Sequence, residues 1–380
     1  MSAKQVHGFV DELFGEDLHA KRVGTLADGT LGVLHAASLG IHAIGRGLAS
    51  AKGLSDKHAV KQVDRCIGNE AIDVEPLQTR LVKRLLAGRE EATVNLDWTE
   101  FDKDDQSTLM LSLQTSHGRA QPLMWKTVVK SELAGQMNDH EDALLTRFAA
   151  AVPEGVRVTV VADRGFGDQA LFDFLSELGL DYIIRIRGCI HVTDKTGETK
   201  RADAWVGKGG RLRALPEARV TDDKTPVGVV VVVRDKGMKD TWCLVASDPE
   251  WRGADVKRRY GKRFSCEETF RDLKDPRFGF GLRHTRLSSP LRRDRLILLA
   301  VLAQALLTLL GEAGEAVGLD RVLKTNTSRR RTMSLLRQGM RWYERIGTMP
   351  EEWLLALMTS FERMLREDTL FQGFLGLEAE

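Results

Sequence analysis

The sequence predicts a mixed α/β protein in which a sheet-forming core is flanked by helical regions. Three observations carry this. Residues 92–131 hold three short apolar runs with turns between them, TVNLDWTEF, STLMLSLQTS and QPLMWKTVVKS, the texture of consecutive antiparallel strands. Strand and helix patterns then alternate: a helical stretch at 139–151, the strand VRVTVVAD, a helix over 168–178 and the strand DYIIRIR. Both ends of the chain lack such runs and show apolar residues at three- and four-residue spacings instead.

Taken in order, residues 1–90 read as a helical unit jointed by glycines such as Gly29, Gly32, Gly45, Gly47 and Gly53. Ser55 suits the N-cap of a helix through Ile67, with Val60, Val63 and Ile67 on one side. At 100° per residue, Lys57, Lys61 and Arg65 form a second stripe roughly 130° away. A DNA-contacting helix needs such a stripe, and an ordinary solvated helix shows one too. Residues 91–189 form the first part of the α/β core. Residues 190–251 turn β-rich again, with VGVVVVVRD and TWCLVASD between Gly-, Asp- and Lys-rich turns, and read as a separate β insertion. Residues 252–310 return to helices, including a long one over 260–274 and an apolar one over 296–310. Residues 311–380 complete a helical end, with amphipathic patterns near 329–345 and 351–366.

Composition narrows the class. A chain of 380 residues can bury a sizeable core and is too long for one small disulfide-stapled domain. Hydrophobic residues at 42% and charged ones at 29% exclude global disorder. Cys66, Cys189, Cys243 and Cys266 form no CxxC pair, which speaks against a zinc knuckle or disulfide framework and for a reducing compartment. The first sixteen residues lack the pattern of a secretory signal, so a cytoplasmic location is expected. The fifteen-residue segment 296–310 is short for a bilayer span of roughly 20 and is expected to be a buried core helix, with no membrane association.

Chemistry concentrates at three acids. Asp97 closes the apolar run VNLD and Asp163 closes VTVVAD. Carboxylates at strand ends converge on the loop edge of a sheet, although aspartate also ends strands simply as a turn former. Tyr260, Arg263, Glu267 and Lys274 fall within roughly 60° of arc if one helix carries them all. Cys266, Phe270 and Leu273 occupy the adjoining arc and can anchor that helix to a core. The same stripe is compatible with a salt-bridged surface helix. Its surroundings tilt toward a polyanion: residues 251–300 contain fourteen Lys or Arg against six acids. Glu268, next to Glu267, lies about 100° round the helix and faces elsewhere. The run Arg329, Arg330, Arg331 reads as a solvated helix start or a further nucleic-acid contact.

The spacing Tyr260-x2-Arg263-x3-Glu267-x6-Lys274 resembles the YREK signature of IS4-type DDE transposases at every position. Asp97 in NLDWT and Asp163 in VADRGFGD resemble that family's two aspartate motifs, in the correct order. The resemblance covers roughly residues 90–310. It implies an RNase H-like core interrupted by a β-rich insertion, and the separation of 104 positions from Asp163 to Glu267 leaves room for one. It further implies that Asp97, Asp163 and Glu267 are catalytic and hold two Mg²⁺ or Mn²⁺ ions, hard cations suited to oxygen ligands. By the same resemblance Tyr260, Arg263 and Lys274 contact phosphates at the transposon end. Trp242, with Trp205 and Trp251 as substitutes, stacks a flipped base in a hairpin intermediate. The implied activity is cut-and-paste transposition of an insertion sequence, the partners being double-stranded DNA and a second copy of the chain in a synaptic homodimer. Two other readings share these residues: a catalytically silent DNA-binding descendant, and an RNase H-like nuclease that cuts without joining.

Overall fold

The structure, a computed structural model, describes residues 1–367. Its N-terminal part is helical as expected: α1 (Ala3–Phe14), α2 (Ala20–Ala36), α3 (Ile41–Lys52), α4 (Asp56–Gly68) and α5 (Val74–Leu86). Ser2 opens α1 with both bonds of a capping box. Helices α3 and α4 cross so closely that a Cβ on Gly45 would lie 2.4 Å from a Val60 methyl, so only glycine fits there. Helix α4 buries Val63, Cys66 and Ile67, and its exposed side carries Lys57, Lys61 and Arg65. None of these three cations forms an ion pair among the described residues.

The core follows as β1 (Glu91–Phe101), β2 (Gln106–Gln114), β3 (Ala120–Val129), α6 (Met137–Ala151), β4 (Arg157–Ala162), α7 (Gln169–Glu177) and β5 (Asp181–Ile186). Strands β1, β2 and β3 form the expected antiparallel meander. Strands β1, β4 and β5 are parallel neighbours, because α6 and α7 return the chain to the same end of the sheet before each new strand. Leu96 pairs with Ala162, and Ala162 with Ile184. The next residues of the three strands, Asp97, Asp163 and Arg185, therefore stand at one level.

Residues 190–251 depart from the expected separate unit. They contain β6 (His191–Thr193), β7 (Thr199–Arg201), β8 (Arg213–Pro216), β9 (Arg219–Val220), β10 (Thr225–Pro226), β11 (Val229–Val233) and β12 (Trp242–Ala246). Four of these make a small sheet, β10-β9-β6-β7, while β12, β11 and β8 extend the main sheet to β3-β2-β1-β4-β5-β12-β11-β8. The five valines of β11 explain why: all are buried, and an unbroken apolar run needs cover on both faces, which the main sheet provides.

The remainder is helical: α8 (Gly253–Gly261), α9 (Phe264–Lys274), α10 (Pro290–Ala316), α11 (Leu335–Arg345) and α12 (Glu351–Glu367). The single helix expected over 260–274 is two. Lys262 N–H bonds back to Arg258 and Arg259, and Arg263, Ser265 and Cys266 each bond three residues back, so a tight turn replaces the α ladder. Gly261 lowers the cost of this break. The break lets Val256 and Tyr260 pack against β5 and β12 while Phe270 and Leu273 join the large helical core. Helix α10, 27 residues, is long and apolar enough to cross a membrane, yet its apolar window is 89% buried among α2, α4, β3, α11 and α12. Its crossing with α11 brings backbones together at Gly311 and Gly339. Arg329, Arg330 and Arg331 precede α11 in a loop rather than starting a helix, and Arg331 pairs with Glu315. The last part of the expected C-terminal helical unit, 368–380, lies outside the described residues.

Candidate active site

Asp97 lies within β1 where its parallel pairing with β4 ends, and Asp163 is the first residue beyond β4. Adjacent strands are about 4.8 Å apart, so the ladder fixes these two acids side by side. Asp163 also serves the turn that follows, its carboxylate accepting from Gly165 N–H at 2.7 Å. Glu267 comes from α9, in the turn after Arg263. Arg263 ties the third acid to the first: its guanidinium donates to Asp97 Oδ2 at 3.1 Å and to Glu267 Oε1 at 2.6 Å. The Arg263 side chain is 7% exposed, Asp97 18% and Glu267 50%, so the pairing runs from a dry floor to a wet rim.

Burial pushes the Asp97 carboxyl above its usual range; Arg263 and the Cys266 thiol oppose this, and the charges of Asp163 and Glu267 add to it. Three negative charges thus act on one another, and one cation already sits between two of them. Cys266 donates its S–H to Asp97 Oδ2 at 3.3 Å, and burial keeps it a thiol. Behind this floor, Gln114 donates to Asn95 Oδ1 at 2.7 Å, and Asn95 reaches Ser265 Oγ at 3.5 Å, linking β1 to the start of α9. Trp98 Nε1 donates to Glu141 at 2.8 Å, where burial raises the Glu141 carboxyl to about 7. Sequence pattern gave Cys266 only an anchoring role and missed Asn95 and Glu141. Asn95, two residues before Asp97 on the same strand face, was the available signal.

The other expected residues separate into two groups. Lys274 stays near the site: its ammonium, lowered to about 8 chiefly by burial, donates to the Glu100 carbonyl at 2.7 Å and lies 4.6 Å from the Phe101 ring centre. Tyr260 is 1% exposed and supports the site from beneath. Trp242 is half-buried, edge-on to Tyr260 at 4.9 Å and stacked on Phe264 at 6.1 Å, while Phe264 itself is 43% exposed. Trp205 is fully buried with its N–H on the Val192 carbonyl, which removes it as a base-stacking candidate. Trp251 is half-buried between Arg157 and Arg259. Glu268 turns away to Arg271 and Arg119, as its position on the helix predicts. Lys57, Lys61 and Arg65 belong to the separate α4 surface.

Among the described residues no group of three or more His, Cys, Asp or Glu is closed around a metal-sized point. Arg263 gives the physical reason, since its guanidinium fills the gap between Asp97 and Glu267. The donor set nevertheless suits a hard cation: three carboxylates at one sheet edge, the deepest of them destabilised first by burial and then by the other two charges. The buried Arg263 Nε, without a hydrogen-bond partner, marks this stand-in cation as incompletely satisfied.

Residues 126–306 match the family model described as Transposase DDE domain. The match covers just under half of the chain, including Asp163 and Glu267, and supports a DDE transposase. Asp97 lies before it. The mixed eight-stranded sheet with helical flanks is consistent with an RNase H-like transposase domain. Transposases of this class act on DNA and generally use divalent metal ions. No curated protein matches the chain.

Proposed function

We propose that the chain is an IS4-type transposase that excises and inserts a DNA segment by phosphodiester hydrolysis and strand transfer. The observation that supports this is the placing of Asp97 and Asp163 side by side where the β1–β4 pairing ends, with Glu267 joined to Asp97 through Arg263. In this reading Asp97, Asp163 and Glu267 hold two Mg²⁺ or Mn²⁺ ions. Such ions, when bound, lower the pKa of an attacking water or 3′-hydroxyl and neutralise the leaving oxygen. Asp97, the innermost acid, together with Asp163 and Glu267 would be the residues that hold such ions. Arg263, released from Glu267, is free to grip the phosphate flanking the cut, and a planar guanidinium suits two phosphate oxygens. Lys274 adds a point charge on the β1 side. Tyr260 acts through Arg263, beneath which it is buried, and Lys57, Lys61 and Arg65 provide a second DNA contact on the N-terminal helices. If the reaction passes through a hairpin, Trp242 is the residue to stack a displaced base, with exposed Phe264 extending the platform. Two copies of the chain bring two DNA ends together in the cytoplasm.

The test uses linear DNA bearing the ends that flank the chain's own coding segment. Asp97→Asn, Asp163→Asn and Glu267→Gln are each expected to abolish Mg²⁺-dependent cleavage while DNA still binds. Normal cutting by any one variant removes that residue from the site. Binding without cleavage by the unaltered chain at every Mg²⁺ and Mn²⁺ concentration favours the silent DNA-binding reading. Cleavage without joined products favours the simple nuclease.

A further inference from the structure

One strand beyond Asp163, the sheet edge changes sign. A cavity of about 380 Å³ opens at the end of β5, at the junction with the β insertion, lined by Arg164, Arg185, Arg187, Arg201, Arg234 and Lys239. Its acids are Asp203 and Asp240. Asp203 is engaged by Arg201 through two bonds, at 2.8 and 3.2 Å, while Asp240 lies 3.9 Å from Arg185. Arg164, Arg187, Arg234 and Lys239 are exposed and form no ion pair among the described residues. Arg185 Nε is buried without a hydrogen-bond partner, although the rest of this guanidinium reaches the cavity. Four uncompensated cations around a buried, unsatisfied donor form a site built for an anion.

Register locates the site relative to the chemistry. Arg185 is level with Asp163 on the neighbouring parallel strand, and both act electrostatically on the Tyr260 phenol. The cavity therefore lies across the carboxylates from Lys274. Its cations come from the β4 and β5 strand ends, from β7 and from the β11–β12 loop, and they spread more charge than a single small anion would neutralise. A nucleic-acid strand, whose phosphates follow one another along its length, does neutralise it.

We infer that this cavity binds the DNA backbone on the far side of the cut from Lys274, so that a strand crosses the three acids between two basic grips. This inference rests on the proposed DNA-cutting function. Cys189 lines the cavity and is exposed, whereas Cys66, Cys243 and Cys266 are buried, so a thiol reagent reports on the site.

The experiment measures the rate at which N-ethylmaleimide modifies Cys189 in the full chain, alone, with a saturating short DNA duplex, and with inorganic phosphate. The duplex is expected to slow labelling at least tenfold. In parallel, the Arg187→Ala/Arg234→Ala/Lys239→Ala variant is expected to weaken duplex binding at least tenfold, and the slope of log affinity against log salt should fall by roughly one for each phosphate no longer gripped. The Glu267→Gln variant should bind and protect Cys189 like the unaltered chain. Unchanged Cys189 labelling on DNA that is bound and cut overturns the cavity assignment and leaves the enzymatic reading standing. Protection by inorganic phosphate but not by duplex also overturns it, in favour of a small-anion site. Cys189 protection without any metal-dependent cleavage supports the cavity while the enzymatic reading fails.

Discussion

Replacing Arg263 by Gln gives the sharpest test of how the acidic site is held together before metal enters. The guanidinium is buried and touches Asp97 at 3.1 Å and Glu267 at 2.6 Å. Opposite charges about 4 Å apart interact by about 4 kcal/mol at the effective dielectric of a protein edge. The Glu267 half of the pair is 50% exposed, so its share shrinks to under about 1 kcal/mol. Asp97, at 18% exposed, keeps most of its share, and a glutamine amide restores about 1 kcal/mol by hydrogen bonding. The net loss should be about 2–3 kcal/mol in urea unfolding with a chelator present. Asp97→Asn in the same chain should recover most of it, because the stranded charge is then gone. Adding Mg²⁺ should stabilise Arg263→Gln more than the unaltered chain, since an ion at 100 times its dissociation constant contributes about 2.7 kcal/mol. A loss below about 0.5 kcal/mol, or one that Asp97→Asn does not relieve, would refute the stand-in role of the guanidinium.

Two further predictions concern the frame around the site. Glu141, raised to about 7, favours folding while protonated; that contribution is complete below its unfolded value near 4.5 and is lost as pH rises through 7. Glu141→Gln should therefore be more stable than the unaltered chain at pH 8 and lose this advantage at pH 5, as read from urea midpoints. A Cβ on Gly339 would lie 1.8 Å from the Leu307 carbonyl oxygen, so Gly339→Ala should force α10 and α11 apart and cost about 2–3 kcal/mol, visible as a lower thermal midpoint.

Much of the site was readable because it depends on local pattern. The apolar runs ending in Asp97 and Asp163 announced two strands, but only Asp163 follows a strand terminus; β1 runs on past Asp97 to Phe101, because β2 keeps pairing with it after β4 has ended. The fixed spacing around Glu267 singled it out from Glu268. Cross-chain consequences were not readable. Nothing in the segment 260–274 announces that α8 and α9 pack against different cores, so continuous helical geometry put Tyr260 on the same face as Glu267. The five valines of β11 looked like any strand, and only the full sheet reveals that they border β12 and continue the core. Cys266 read as a small apolar anchor because its partner, Asp97, is 169 residues away. Trp205 could not be told from Trp242 by composition; the cover given by Lys200 and Arg213 decides it.

The break between α8 and α9 divides the acidic cluster mechanically. Asp97 and Asp163 each follow directly on the last paired residues of the β1–β4 ladder, Leu96 and Ala162, which holds the two acids side by side. Glu267 belongs instead to a short helix that starts at the Lys262–Arg263 turn and is tied to β3 by Thr269 on Ala120, so its distance from the two aspartates is set by side-chain contacts rather than by strand pairing. Arg263, at the start of that helix, is the side chain that latches the two parts together.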